Sequence, residues 1–204
     1  MEIQQESRIS AKRQAILDAA TTAFRDEGFD CTSMDRIAEL AGASKRTVYN
    51  HFESKEALFQ AVVGRLFDQG AALEQVVWDP DRPLEHQLAD FARTKMLRSE
   101  DPASLCLMRV ALGVFIKHPE LVQAVMARSA AEQRTLVRWL RSAVEAGRLD
   151  VPDAELAASV FWAMAGGAFF WPQLIEGRLD EERRDALMRE VVDTFLARYR
   201  PAQN

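Results

Sequence analysis

The stretch Gly42-Ala43-Ser44-Lys45-Arg46-Thr47-Val48-Tyr49-Asn50-His51-Phe52 restricts what this chain can fold into more than any other. It carries two basic residues, an amide, an imidazole and no acid. Wound as a helix, it places Val48 and Phe52 four apart on one side, with Arg46, Thr47, Tyr49 and Asn50 pointing elsewhere. Ser44 is a fitting N-cap. Gly42 permits a tight turn after the apolar stripe of Met34, Ile37, Ala38 and Ala41. Two short helices across a glycine turn, the second anchored on one side and open on the other, form a helix-turn-helix pattern with the second helix in the reading position. The competing reading is a surface helix whose polar side only meets water. The cap, the turn and the acid-free face occurring together favour the reading helix.

The flanks extend the pattern. Residues 1 to 9 are polar and expected to be a frayed arm, in which Arg8, with Lys12 and Arg13 beyond it, could touch phosphates. Ser10 is expected to cap a first helix carrying Ile16, Leu17, Ala20, Ala23 and Phe24, stopped by Gly28. Thr32 is expected to cap the second helix, with Asp35 three residues on completing a capping box. Thr32 and Ser33 at that N-terminus also suit a phosphate oxygen. Ser54 caps a fourth helix expected to run to about Val77, with Lys55 in its first turn as a phosphate clamp.

Thr32-Ser33-Met34-Asp35-Arg36-Ile37-Ala38, the stretch from Gly42 to Phe52 and Ser54-Lys55-Glu56-Ala57-Leu58-Phe59 together closely resemble the DNA-binding domain of the TetR family of bacterial transcriptional regulators. The likeness is specific over about residues 10 to 60. It implies a three-helix DNA-binding head over 1–54 and a helical ligand-binding and dimerisation domain over 55–204, bridged by the fourth helix. The residues expected to meet DNA are Thr32, Ser33, Ser44, Lys45, Arg46, Thr47, Tyr49, Asn50, His51 and Lys55. Among them Arg46 suits a guanine edge and Asn50 an adenine, while Thr47, Tyr49, His51 and Lys55 suit phosphates.

Charge at first opposes a nucleic-acid partner. The chain has a net charge of −5, and residues 1 to 60 hold eight Lys or Arg against ten acids. Phosphates within a Debye length of about 8 to 10 Å respond to local charge, so the case rests on Lys45, Arg46 and Lys55. The acidic remainder disfavours indiscriminate binding.

Beyond residue 60 the chain reads as helix throughout, with no alternating strand pattern or repeat. Trp78-Asp79-Pro80-Asp81-Arg82-Pro83 is the clearest breaker. Helices are expected from Leu84 to Ser99, from Leu105 to Ile116, from Glu120 to Ala146, from Asp153 onward and after Gly177. The apolar residues of the last two spread wider than one core face needs. Phe169, Trp171, Leu187, Val191 and Phe195 are therefore expected to pair with a second copy in a four-helix dimer interface.

The family resemblance implies an effector pocket in the C-terminal domain. Phe91, Met96, Met108, Phe115, Phe161, Trp162 and Met164 offer aromatic and thioether surface suited to a small, largely apolar or aromatic molecule. Arg109, His86 and Gln173 are candidates for orienting it.

The remaining function classes find little support. His51, His86, His118 and Cys106 fall in no spacing that pairs a base with a nucleophile, so an all-helical enzyme is disfavoured, and no catalytic residue, metal or cofactor is expected. A helical interaction module without DNA binding leaves the acid-free face unexplained. Cys31 and Cys106 are expected to be reduced and packed like small apolar groups. The chain is read as lacking a charge-free run of about eighteen apolar residues or a signal-peptide core, so no membrane partner is expected and the location is cytoplasmic.

Overall fold

A computed structural model describes residues 2–68, 76–94, 102–177 and 179–201, with side chains over 10–65, 76–94, 103–123, 130–177 and 179–201. The described residues form helices and no strand. In chain order these are α1 (Glu2–Glu27), α2 (Met34–Leu40), α3 (Lys45–His51), α4 (Lys55–Asp68), α5 (Leu84–Arg93), α6 (Pro102–Lys117), α7 (Gln123–Glu145), α8 (Ala154–Ala165), α9 (Trp171–Ile175) and α10 (Glu181–Tyr199). A 3-10 turn, Pro119–Val122, precedes α7, and a π-helical turn, Gly166–Phe170, joins α8 to α9.

Three expected boundaries change. α1 starts at Glu2, so Ser10 lies inside a helix and the polar arm is helical backbone. α4 ends at Asp68 and Val77 lies in irregular chain, the intervening 69–75 being outside the described residues. α5 ends at Arg93 with Thr94 as its C-cap, and the expected continuation from Lys95 to Ser99 also lies outside them.

The chain packs as two compact units: Met1–Asp68 with Pro102–Val125, and Gln69–Asp101 with Met126–Asn204. In the first, α1 packs on α2, α4 and α6. Ile16, Ala20, Phe24, Phe29, Ile37, Val48, Leu58, Phe59 and Ala111 share its core. Phe29 and Phe24 meet Phe59 at ring-centroid distances of 4.8 and 5.4 Å. Edge-on aromatic contacts of this kind add about 0.5–1.5 kcal/mol to the area they bury. Whereas the sequence placed a domain boundary after residue 54, packing carries the first unit into α4 and α6, because Leu58, Phe59, Leu107 and Ala111 cover α1. Cys31 is exposed on the α1–α2 link, which corrects its expected packing as an apolar group.

In the second unit α10 lies on α5 and α8. Leu88, Phe91, Trp139, Leu140, Phe161, Phe169, Val192 and Phe195 fill the core. The breaker at 78–83 is held by one fully buried amide. The Gln87 carboxamide donates to the Asp79 and Arg82 carbonyls at 2.8 and 3.0 Å and accepts from the Asp79 N–H at 3.1 Å and the Trp139 indole N–H at 2.9 Å. A buried amide with every partner in place fixes the turn where an apolar residue could not.

Leu156 to Ile175 carries no Asp, Glu, Lys or Arg, which corrects the expectation that no long charge-free run exists. Ala154–Ile175 is a helical stretch of 22 residues, long and apolar enough by length and composition to cross a membrane. Its polar members bond within the unit: Gln133 on α7 donates to the Glu155 carbonyl and to the Ser159 hydroxyl.

Candidate nucleic-acid interface

The helix-turn-helix forms as the sequence suggests, through local bonds that can be traced one by one. Ser33 caps α2, its hydroxyl accepting from the Arg36 N–H at 3.1 Å. At the other end the Ala43 N–H donates to the Ala38 carbonyl and the Gly42 N–H to the Glu39 carbonyl. This pair of bonds is the Schellman closure, and it needs a left-handed residue, which Gly42 supplies at φ +59°. Ser44 then caps α3, accepting from the Thr47 N–H at 3.1 Å, with the two hydroxyls 2.8 Å apart.

Val48 on α3 and Phe52 at its C-cap are buried in the first unit's core, and they fix the helix's rotation. Arg46 and Asn50 are exposed, and Tyr49 keeps 45% of its surface open. Arg46 pairs with no carboxylate among the described residues. Ser44 and Lys45 are also exposed, while Thr47 and His51 are half-buried at the edges of the same face. The Arg13 guanidinium sits 5.0 Å from the centre of the Phe52 ring, which brings a second cation to the end of α3.

Two expected phosphate groups are turned inward. Thr32 keeps only 2% of its surface, and its hydroxyl donates to the Gly28 carbonyl at 2.7 Å. It is therefore neither the cap of α2 nor open to a phosphate, and the expected capping box is absent because Ser33 takes the cap. The Lys55 ammonium donates to the Phe29 and Thr32 carbonyls at 2.8 and 3.1 Å and stands 4.4 Å from the Phe29 ring centre. It ties the start of α4 to the α1–α2 link instead of standing free as a clamp.

Lys45 is only partly available. Its ammonium lies 2.9 Å from Asp35, and that hydrogen bond raises its pKa above the usual lysine value. Arg36 bridges Glu27 and Glu39 at 2.8 and 2.9 Å, which joins α2 to the end of α1. Sequence reasoning missed the Asp35–Lys45 pair, since residues ten apart on either side of a turn show no spacing rule. It also missed the role of Lys55.

The residues named for an effector divide between the two units. Met108, Arg109 and Phe115 belong to the first; Phe91, Phe161, Trp162 and Met164 belong to the second; Met96 lies outside the described residues. Phe91 and Phe161 are buried and meet Trp162 at 6.2 and 5.6 Å, as core aromatics do. Gln173 is buried with its amide donating to the Phe169 carbonyl, and His86 is exposed.

Of the residues named for the dimer, Phe169, Val191 and Phe195 are buried inside their own chain, a correction that removes them from any interface. Leu187 is half-buried and Trp171 keeps 49% of its surface. The open apolar groups near Trp171 along the chain are instead Leu156, Val160 and Ile175, exposed by 60%, 41% and 74%.

Residues 16–62 match the model of the tetR family of bacterial regulatory proteins, and residues 86–201 match that of the AefR-like transcriptional repressor C-terminal domain. The chain belongs to the TetR family. Among its relatives is the transcriptional regulator RutR of Escherichia coli K12, 31% identical over 158 residues covering 76% of this chain and 72% of RutR. A TetR-family regulator from Pseudomonas syringae pv. tomato superposes with a TM-score of 0.74 at 36% identity, over 93% of this chain and 97% of that one. The flavonoid-responsive regulator FrrA does so with 0.76 at 27%, over 95% of this chain and all of FrrA (100%). As in these TetR-family proteins, the fold joins an N-terminal helix-turn-helix to a C-terminal helical region, and the chain is a DNA-binding transcriptional regulator, not an enzyme.

Proposed function

We propose that this TetR-family regulator is a cytoplasmic repressor that binds a palindromic operator as a homodimer and leaves it when a small, largely apolar or aromatic effector binds. The observation that carries the proposal is the α3 face. Arg46, Tyr49 and Asn50 stand in solvent on a helix whose rotation is fixed by buried Val48 and Phe52. An exposed guanidinium and an exposed amide four residues apart offer bidentate partners to a guanine and an adenine edge. Ser33, Ser44, Lys45, Thr47 and His51 surround them with phosphate partners.

Two copies are needed because one short helix reads too few bases, and two-fold readers engage half-sites roughly 34 Å apart. The face we assign to the second copy is the apolar side of α8 and α9, with Leu156, Val160, Trp171 and Ile175. A self-complementary apolar patch pairing about a two-fold axis would give the long apolar run a partner other than lipid. Support for repression comes from the AefR-like repressor match, and support for an aromatic effector from the description of FrrA as flavonoid-responsive. To release DNA usefully the effector must favour the non-binding conformation by a coupling of about 1–3 kcal/mol, and by more for complete switching.

The test is fluorescence anisotropy on DNA from upstream of the chain's own coding sequence, with scrambled duplex as competitor and flavonoids as trial effectors. Saturable binding of two chains per duplex, resistant to the scrambled competitor and reversed by an aromatic compound, is expected. Equal affinity for own and scrambled DNA would refute operator recognition.

A further inference from the structure

We infer that the second unit carries a binding site for a small planar aromatic carboxylate, formed by the chain just before α5 and one face of α7. The site is a cavity of about 200 Å³ lined by Val76, Val77, Trp78, Thr135, Arg138, Trp139 and Ser142. None of these residues was named for the effector.

Thr135, Arg138, Trp139 and Ser142 recur at i, i+3, i+4 and i+7, so they form one face of α7. Opposite them lies Trp78, whose ring meets Trp139 at 5.3 Å with an interplanar angle of 70°. Trp139 is buried, so it backs the Trp78 ring and holds it in place before any ligand arrives. The Trp139 N–H donates to Gln87, and the same carboxamide pins Asp79, the neighbour of Trp78. A wall fixed in this way costs a ligand little ordering.

The polar side of the cavity is cationic. Arg138 is exposed and pairs with no carboxylate among the described residues. Its one partner among the described residues is the Thr135 hydroxyl at 3.4 Å, and that hydroxyl already donates to the Ala131 carbonyl. The guanidinium therefore keeps most of its fork of donors for something else. The Ser142 hydroxyl, one turn further along, bonds no other described residue. A guanidinium fork matches a carboxylate bidentately, and a hydroxyl beside it can donate to one of the same oxygens.

Volume and shape set the rest of the class. Pockets for drug-sized ligands run from roughly 300 Å³ upward, so this one admits a single ring and little more. The half-buried Trp78 indole on one side favours a flat aromatic body, and Arg138 at the rim favours an anionic head. The inference stands whether or not the regulator is released from DNA by the same compound, because its readout is binding alone.

The experiment is isothermal titration of the full-length protein with benzoate and, separately, with its neutral isostere benzamide. Benzoate is expected to bind saturably at one site per chain, and benzamide about tenfold or more weaker, since charge-assisted bonds are the strong ones. Arg138→Met keeps the apolar stem and removes the fork. It should weaken benzoate by a similar factor, leave benzamide unchanged and leave the melting curve in place, the residue being exposed. Arg141→Met, an exposed arginine on α7 outside this cavity, should leave benzoate binding as it was. Absence of saturable benzoate binding, equal binding of benzoate and benzamide, or equal losses in the Arg138 and Arg141 variants would each overturn the site.

Discussion

Lys55 separates two physical roles that the same residue could play, and replacing it with methionine tells them apart. A lysine clamping a phosphate contributes to every duplex alike, and its loss lowers the steepness of salt dependence. The Lys55 ammonium instead donates to the Phe29 and Thr32 carbonyls at 2.8 and 3.1 Å and covers the Phe29 ring at 4.4 Å. A hydrogen bond from a charged group contributes about 1.5–3 kcal/mol net. Since Lys55 is half-buried and water can reach part of the site, the lower end applies, and Lys55→Met should cost about 2 kcal/mol of stability. For a chain of this size that is a fall of roughly 4–8 °C in melting temperature. The assay pairs thermal unfolding with duplex-DNA affinity measured across a salt series. Each lost phosphate contact reduces the magnitude of the log–log salt slope by about 0.9. We expect destabilisation with the slope unchanged. An unshifted melting curve together with a slope smaller by about 0.9 would refute the tether and restore Lys55 to the DNA.

Other perturbations address other links of the chain. Arg46→Ala should cost about 1–3 kcal/mol on a specific operator and relax preference at one base position, read by anisotropy on a panel of single-base variants. Gln87→Leu leaves the buried Trp139 N–H without an acceptor and frees the 79–82 turn, so a loss of about 2–4 kcal/mol is expected in urea unfolding followed by tryptophan fluorescence. Ile175→Glu places a charge on an apolar group exposed by 74% and should shift the oligomeric state toward monomer by light scattering, with little change in the helical circular-dichroism signal. Asp30 is held below the usual carboxylate pKa by its hydrogen bond from Lys117. Its depressed folded pKa means the contribution is present above the ordinary aspartate value and lost as pH falls through the folded one. Asp30→Asn should therefore lower stability at neutral pH, where the contribution is present, and leave the acid extreme nearly unaffected, so that the acid limb of the stability curve flattens.

Much of the reading head was legible because its determinants are local. A serine before a helix, a glycine where the backbone turns left-handed and two apolar residues four apart lie within a dozen positions of one another. The misreadings come from partners far along the chain. Thr32 and Ser33 are both able to cap α2; what selects Ser33 is that the Thr32 hydroxyl reaches back to the Gly28 and Ala23 carbonyls at the end of α1. Lys55 likewise finds its acceptors 23 and 26 positions upstream. The breadth of the apolar face on α10 was visible, but breadth does not say which chain covers it. Val191 and Phe195 are covered within their own unit, where α10 lies on α5 and α8, so the surplus apolar surface moves to Leu156 and Ile175.

The Asp35–Lys45 pair bears on how an acidic chain can still approach a polyanion. Both side chains are largely exposed, 63% for Asp35 and 59% for Lys45. A surface pair of this kind is worth about 0–1 kcal/mol, so exchanging the carboxylate for a phosphate oxygen costs little. While the pair is closed, Lys45 adds little net attraction, and Arg46 is the basic group on α3 with no acid partner among the described residues. At the proposed interface this pairing would restrain indiscriminate electrostatic binding until the head is close enough for a phosphate to displace Asp35. Once it is displaced, Asp35 becomes an uncompensated negative charge beside the DNA backbone. A poorly fitting duplex would pay that repulsion without the bonds from Arg46 and Asn50 to offset it. Asp35→Asn should accordingly raise affinity for scrambled duplex and specific operator by similar factors, because both meet the same repulsion, and leave the ratio between them unchanged. A ratio that falls would show that the carboxylate takes part in discrimination and does not act through overall charge alone.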